Sequence, residues 1–452
     1  MVKATQAGDA PMTTTRFAPS PTGWLHIGNL RAALFNYAIA RQQGGTFILR
    51  IDDTDAERSK DEYIAGVKED LNWLGFTWDR VEHQSARMDN YLAAKQKLID
   101  MGRLYECFET PVELDLKRKK QLNMGKPPVY DRAALELSED EKNALRAERG
   151  SHWRFKLDHR RIEWTDGIIG DISIDAASVS DPVLFKNDGQ ILYTLASVVD
   201  DTEMGITDVV RGSDHVTNTA TQIQMIEALG GAVPRFAHHS LLTGPQGEAL
   251  SKRLGTLALR DLRKQGIAPQ AILSLMARLG SSDPVELRST IDDVVANFDL
   301  SKFGSAPTKF DAADLTPLTA RHLATLSAGD VADVLTSAGV PGDLAAPFWN
   351  VVRDNIDALD QVADWWAMFR DGATPLVEDE DRAFVAEAFA LLPALPYDSD
   401  TWSNWTATVK EATGRKGKGL FMPLRKAVTG RQRGPEMAEV MPLLQTKPTF
   451  TA

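Results

Sequence analysis

Residues 17–40 read FAPSPTGWLHIGNLRAALFNYAIA. Two prolines, Gly23, Trp24 and His26 crowd ahead of a segment in which Leu30, Ala33, Leu34, Tyr37 and Ala38 recur at the i, i+3, i+4, i+7, i+8 spacing of an amphipathic helix. TTRFA (14–18) before it reads as a short strand, and TFILRI (46–51) after it as the near-continuous apolar run of a buried parallel strand. Gly44-Gly45 ends the helix. Strand, loop, helix and strand make a βαβ unit, and an α/β parallel sheet follows. The loop from a first strand into its helix is where such sheets bind phosphates, because backbone N–H groups and the helix dipole converge there. Gly23 and Gly28 permit close backbone approach to a ligand, and His26 supplies a donor that can follow a phosphate through a reaction.

At 452 residues the chain has room for two to four domains. Its longest apolar run near the C-terminus, FVAEAFALLPALPY, contains Glu387 and two prolines and is no membrane span. MVKATQAGDAPMTTTR reads as neither signal nor transit peptide, and residues 1–12 are expected to be a disordered, dispensable extension. A single cysteine, Cys107, excludes a disulfide framework and a multi-cysteine zinc site, and suits a reducing cytoplasm. The net charge of −12 argues against a protein that coats nucleic acid indiscriminately. Yet Lys410, Arg415, Lys416, Lys418, Arg425, Lys426, Arg431 and Arg433 face only one acid, Glu411, over that stretch. Two readings stand: a defined polyanion site, or a solvated charged face.

A second helix carries Ile64, Val67, Leu71 and Leu74 on one face and stops at Gly75. From about 86 to 190 the text changes: KRKK (117–120), MGKPPVYD (124–131) and SEDEKNALRAERG (138–150) alternate with strand-like HWRFKL and IEWTD, as in an inserted α+β module. Sheet-like text resumes at ILYTLASVVDD (191–201) and GITDVVRG (205–212), followed by a helix over 217–229 and a strand FAHHSLL (236–242). Beyond the loop GPQGEALSKRLG (244–255) nearly everything reads as helical, punctuated by FGSAPTKFD (303–311). That loop sets Lys252 and Arg253 between Gly247 and Gly255, poised to close over a pyrophosphate. Two phosphate-type loops at opposite ends of a split sheet each explain half of an ATP site.

With both loops in view, the chain resembles a class I aminoacyl-tRNA synthetase, and specifically the bacterial glutamyl-tRNA synthetases. PSPTGWLHIGN resembles that family's HIGH element, with Asn29 in the last position. ALSKR resembles its KMSKS element, with Ala249 where a lysine is common and Arg253 at the end. RFAPSPTG, ILRIDDTD, LASVVDD and TDVVRGSDH follow in the family's order, so the resemblance runs from about residue 14 to 440.

The resemblance implies a Rossmann-type catalytic domain split over 13–85 and 191–250, an acceptor-arm-binding insertion at 86–190 and a stem-contact region with the KMSKS-like loop at 251–310. A helical anticodon-binding domain at 311–452 completes it. It further implies ATP with Mg²⁺, L-glutamate and tRNA(Glu) as reactants, joined through glutamyl-adenylate. His26 and Lys252 are the expected catalytic residues. Gly28, Asn29, Ser251, Lys252 and Arg253 are expected at ATP. The glutamate set is Arg16, Ser20, Asp52, Tyr193, Ser197 and Arg211. In that set Arg211 takes the side-chain carboxylate, Tyr193 adds a hydroxyl, and Ser20 and Asp52 receive the α-ammonium. Asp52 stands where a longer glutamate is common, and Ser197 where some members carry asparagine. The competing reading for Arg211 is a local salt bridge to Asp208 or Asp214. Asp53 and Asp55 are expected to cap the loop after their strand. Arg415, Lys416 and Lys418 are the expected tRNA contacts.

Many bacterial relatives carry a cysteine cluster for zinc in the inserted module. YECFETP has only Cys107, so neither zinc nor another protein-bound metal is expected, and Cys107 should be an ordinary small apolar residue. His238 and His239 are adjacent on a strand, face opposite sides and read as structural. Trp365, Trp366, Trp402 and Trp405 are expected mostly in the helical core. The alternatives are a non-discriminating enzyme that also charges tRNA(Gln), and a glutaminyl-tRNA synthetase, which the helical C-terminal text opposes. A cytoplasmic monomer is expected.

Overall fold

The computed structural model describes residues 12–248, 250 and 258–451. Apart from Met12, the expected disordered extension lies outside the described residues. The chain divides into two compact units, one comprising Met1–Asp261 and Leu273–Asp311, the other Leu262–Ile272 and Ala312–Ala452.

The first unit opens with β1 (Thr14–Phe17), α1 (Ile27–Gln42), β2 (Thr46–Ile51), α2 (Asp61–Trp73) and β3 (Arg80–His83). These strands lie parallel in the order β1-β2-β3, with Arg16 beside Ile48 and Ile48 beside Arg80. The turn into β2 needs glycine: a Cβ on Gly45 would stand 2.2 Å from the Thr13 carbonyl oxygen, which accepts the Thr46 N–H at 2.8 Å.

An insertion follows, comprising α3 (Met88–Asp100), β4 (Leu104–Cys107), α4 (Pro111–Asn123), α5 (Glu139–Arg149), β5 (His152–Phe155), β6 (Arg161–Asp166), β7 (Gly170–Asp175) and β8 (Val183–Phe185). It forms an antiparallel sheet β4-β5-β8 and a hairpin β6-β7. The parallel fold resumes with α6 (Tyr193–Glu203), β9 (Asp208–Gly212), α7 (Val216–Leu229) and β10 (Arg235–His239). β9 and β10 pair in parallel, and the Thr207 N–H donates to the Thr14 carbonyl at 2.9 Å, bringing this pair to the edge of β1. Asn36 on α1 stitches the seam: its side-chain amide donates to the Val210 carbonyl at 2.7 Å and accepts the Val210 N–H at 3.1 Å.

Residues 193–203 form a helix, not the sheet-like segment that ILYTLASVVDD resembles. Adjacent valines and an apolar run favour a strand by propensity, but Leu195, Ala196 and Val199 bury one helical face while Ser197 and Asp200 are buried on polar partners.

Among the described residues from 312 onward the second unit contains helices and turns and no strand. Its core gathers Phe348, Trp349, Trp365, Trp366, Phe369, Trp405 and Leu424, with Trp402 packed against it. The indole N–H groups of Trp349 and Trp405 donate to the carbonyls of Leu326 and Ala388 at 2.7 and 2.9 Å, so these rings are structural, as expected for Trp405. No helix among the described residues is long and apolar enough to cross a membrane.

Candidate active site

His26 caps the N-terminus of α1. Its Nδ1 accepts the Gly28 N–H at 3.1 Å, and its own N–H donates to the Asn29 side-chain oxygen at 3.2 Å. An accepting Nδ1 leaves the imidazole proton on Nε2, so the ring is held as a donor at a helix N-terminus, where anions are favoured. A Cβ on Gly28 would come within 3.1 Å of the ring, so glycine is what lets His26 take this position. Asn29 has its oxygen committed to the cap. Ala258 pairs with His26 in an antiparallel bridge and the Leu259 N–H donates to the Leu25 carbonyl at 2.9 Å. Ser251, Lys252 and Arg253 lie outside the described residues, but the chain that follows them is thereby anchored at the His26 loop.

Where β1 and β2 end, charged groups that sequence reading left unconnected come together. Arg16 grips Asp201 on α6 with two bonds, 2.9 and 3.2 Å. Arg50, fully buried within β2, donates to both oxygens of Asp52 at 2.7 and 3.2 Å, to Asp201 at 2.7 Å and to the Ser197 hydroxyl at 3.3 Å. Burial pushes the Asp52 carboxyl up to about 6, while Arg50 pulls the other way. Burial also raises Asp201, but Arg16 and Arg50 more than offset it and hold this carboxyl below its ordinary range. Arg50, Asp200 and Asp201 were missed as site residues. The available signal was an arginine inside an apolar strand, which must find carboxylates when buried. Asp52 and Ser197 are thus brought together through Arg50, and Ser20, exposed after β1, neighbours Pro19, whose carbonyl accepts the Asp52 N–H at 3.0 Å.

Asp53 departs from the simple loop-capping reading. Its carboxylate accepts the Ser85 N–H at 2.7 Å and hydroxyl at 2.9 Å and contacts His83 Nδ1 at 3.0 Å, which ties β2 to the turn after β3. Asp55 does cap locally, accepting from the Arg58 N–H and guanidinium at 3.2 and 2.7 Å.

Arg211 near the end of β9 is 7 % exposed and has no ion pair among the described residues. The local salt bridge is absent: Asp208 is taken by Arg235 at 2.7 and 2.9 Å, and Asp214 lies 3.8 Å from His215. Instead Nη2 donates to the Thr219 hydroxyl at 2.6 Å, Nη1 to the Tyr193 hydroxyl at 3.4 Å, and Nε to His238 Nε2 at 3.4 Å. Burial lowers its pKa. The cation is therefore desolvated without a direct ion pair among the described residues, a state that an anionic ligand relieves.

His239 lies on the other side of the sheet from His238, against Phe35 of α1 at a ring separation of 5.5 Å, and the two histidines do not form a metal pair. Cys107 is buried, but its surroundings are polar: its sulfur and ligand atoms of Glu109 and His152 all lie within 4.8 Å of one another. Burial pushes the thiol up to about 12 and brings His152 down to about 4. Glu109 is already engaged by the Tyr130 hydroxyl at 2.8 Å and the Lys117 ammonium at 3.1 Å. Both contacts fall on Oε1, whereas the buried Oε2 has no hydrogen-bond partner among the described residues.

The basic strip is divided. Arg415 is folded inward, ion-paired to Asp381 with its guanidinium 4.1 Å from the Phe384 ring centre. Lys426 pairs with Glu378 at 2.6 Å and Arg431 lies 4.1 Å over Trp365. Lys416 and Lys418 are exposed and form no ion pair among the described residues.

A split parallel sheet with a capped histidine loop at a helix N-terminus defines a class I synthetase catalytic unit. Residues 12–317 match the family model described as tRNA synthetases class I (E and Q), catalytic domain, and residues 323–450 match an anticodon binding domain. The chain is 73 % identical over 435 residues to glutamate–tRNA ligase 1 of Roseobacter denitrificans, covering 96 % of this chain and 99 % of that protein. It is 71 % identical to glutamate–tRNA ligase 2 of Dinoroseobacter shibae, covering 97 % and 100 %. A crystal structure of a glutamate tRNA ligase from Elizabethkingia meningosepticum in complex with its amino acid superposes with a TM-score of 0.82 at 28 % identity, covering 96 % of each chain. The chain belongs to the glutamate–tRNA ligase family of class I synthetases.

Proposed function

We propose that this enzyme attaches L-glutamate to tRNA(Glu) in two ATP-dependent steps. The glutamate α-carboxylate attacks the α-phosphorus of ATP, taken as its Mg²⁺ complex, forming glutamyl-adenylate and releasing pyrophosphate. A hydroxyl of the terminal tRNA ribose then attacks the activated carbonyl and AMP leaves. Charge builds on phosphate oxygens in the first step, so positioned donors carry the catalysis. His26, with its proton on Nε2 at the helix N-terminus, is one such donor, Gly28 and Asn29 shape its loop, and Ser251, Lys252 and Arg253 supply the others. Ser20 and Asp52 take the α-ammonium, with Ser197 fixing Arg50 behind Asp52. Arg16, already half-neutralised by Asp201, lines the glutamate site.

The observation that carries the reading is Arg211, a buried guanidinium with no carboxylate paired to it among the described residues. A γ-carboxylate completes it, and the Tyr193 hydroxyl stands beside the same fork. In the second unit Lys416 and Lys418 meet tRNA phosphates, whereas Arg415 is held by Asp381. Zinc is given no part in this reading, since Cys107 is the only cysteine and Lys117 already pairs with Glu109. The enzyme works as a cytoplasmic monomer; one cysteine in 452 residues supports a reducing compartment.

Glutamate-dependent ATP–pyrophosphate exchange, run with and without tRNA(Glu), tests this reading. Exchange that requires glutamate and rises with tRNA is expected. Equal exchange with glutamine contradicts it, and charging of purified tRNA(Gln) decides whether the enzyme discriminates between the two acceptors.

A further inference from the structure

We infer that Asp166 and His238 form a positioning relay that fixes the Arg211 guanidinium with its terminal fork turned to the substrate. The inference rests on the reading of Arg211 as the glutamate side-chain receptor.

The relay begins in the strand register. In the parallel β9–β10 pair, Arg211 and His238 are direct neighbours. His238 is fully buried, and its Nδ1 lies 2.5 Å from the Asp166 carboxylate at the end of β6. Asp166 is pinned in turn: one oxygen accepts the backbone N–H groups of His238, Ile168 and Ile169 at 3.0, 3.0 and 3.1 Å. A carboxylate so held accepts only, so the imidazole proton sits on Nδ1 and Nε2 presents a lone pair. That lone pair faces Arg211 Nε at 3.4 Å and the Thr219 hydroxyl at 2.9 Å.

Counting donors shows what the relay achieves. A guanidinium has five N–H bonds in a fixed plane. Nε and Nη2 spend one each on His238 and Thr219, which together hold one edge, and Nη1 spends one on Tyr193. One N–H remains on each terminal nitrogen. Two such N–H bonds can form an end-on fork, which takes both oxygens of a carboxylate and meets the NH₂ of a carboxamide donor to donor. The wrong imidazole tautomer would set an Nε2–H against the Arg211 Nε–H and rotate the fork away.

Asp166→Asn tests this with almost no change of shape. The three backbone N–H groups require the amide oxygen, so the NH₂ falls against His238 Nδ1 and drives the proton to Nε2. We expect the glutamate KM to rise by about 10-fold or more and the glutamate-over-glutamine preference to narrow, with the ATP and tRNA KM values within about 2-fold of wild type. Arg211→Ala is measured in parallel. If it collapses glutamate use while Asp166→Asn matches wild type, the relay is wrong and the reading of Arg211 stands. If Arg211→Ala is harmless, that reading itself fails, and the relay with it. Equal rises in every KM for Asp166→Asn mean a merely structural role and overturn the relay. Should the variant not fold, ¹⁵N-histidine NMR of the wild-type enzyme decides: an Nδ1–H tautomer at His238 is expected, and an Nε2–H tautomer overturns the inference.

Discussion

The indole of Trp24 lies so close to Gly66 on α2 that a Cβ at position 66 would stand 2.4 Å from the ring carbon Cζ3. The same indole meets Tyr63 edge-on at 5.0 Å and carries the Arg260 guanidinium 3.9 Å from its centre. Trp24 thus braces the loop that presents His26. Glycine to alanine inside a helix ordinarily gains about 1 kcal/mol. Here Gly66→Ala should instead destabilise the enzyme and raise the ATP KM several-fold, with the glutamate KM little changed. A variant of wild-type stability and ATP KM would remove Trp24 as a brace.

Arg50 offers a stability test. It is surrounded by Asp52, Asp200 and Asp201 and is entirely buried. Replacing it by methionine leaves three carboxylates crowded around Arg16 and Arg87, and breaking a buried ion cluster in this way costs about 3–5 kcal/mol. Urea unfolding of Arg50→Met should show a loss of that order. A variant as stable as wild type would show that the acids are satisfied without it.

The pH dependence of stability should carry the signature of His239. Its Nδ1 bonds the Ser240 carbonyl at 3.1 Å, while the buried Nε2 has no hydrogen-bond partner among the described residues. Burial first, then the charge of Arg31, brings its pKa down to about 4. The unfolded chain takes up this proton near pH 6.5, so the folded state is favoured fully above that value and loses the advantage as pH falls towards 4. Between pH 7 and pH 5 this group alone should remove about 2 kcal/mol. His239→Asn should flatten the urea-midpoint profile over that window, whatever its effect at neutral pH. An unaltered profile would mean that His239 is protonated as readily in the folded as in the unfolded chain.

The basic strip should split functionally as it splits structurally. Lys416→Ala with Lys418→Ala should weaken tRNA binding and reduce the salt slope of log Kd by about 1–2, while leaving ATP binding alone. Arg415→Ala should chiefly lower the thermal stability of the C-terminal unit, because its guanidinium is spent on Asp381 and Phe384. An Arg415 variant that lost tRNA affinity at unchanged stability would reverse this assignment.

The βαβ opening was legible because its signals are local: the 3.6 period after Leu30, the glycines at 44 and 45, and the apolar run 46–51. Arg211 was singled out through its motif, and the structure adds that neither Asp208 nor Asp214 pairs with it. Tyr193–Glu203 was misread because the reason for its helix is tertiary. Ser197 and Asp200 are buried against Arg50, and Gln84, Arg87 and Tyr91 also reach Asp200, partners that no window around residue 195 contains. His238 was read as structural, and its partner Asp166 lies 72 residues away in the inserted hairpin. Pairings of that separation are set by topology and leave no periodic trace.

The proposed function requires a single arginine to distinguish a carboxylate from a carboxamide. Its most direct test is activation of glutamate and of glutamine by Arg211→Ala in the presence of tRNA(Glu). Glutamate kcat/KM should fall by about 10⁴-fold, since the buried pairing that selects it is gone, while the already poor glutamine value changes far less. Equal losses for both amino acids would mean that Arg211 supports the fold and does not read the substrate.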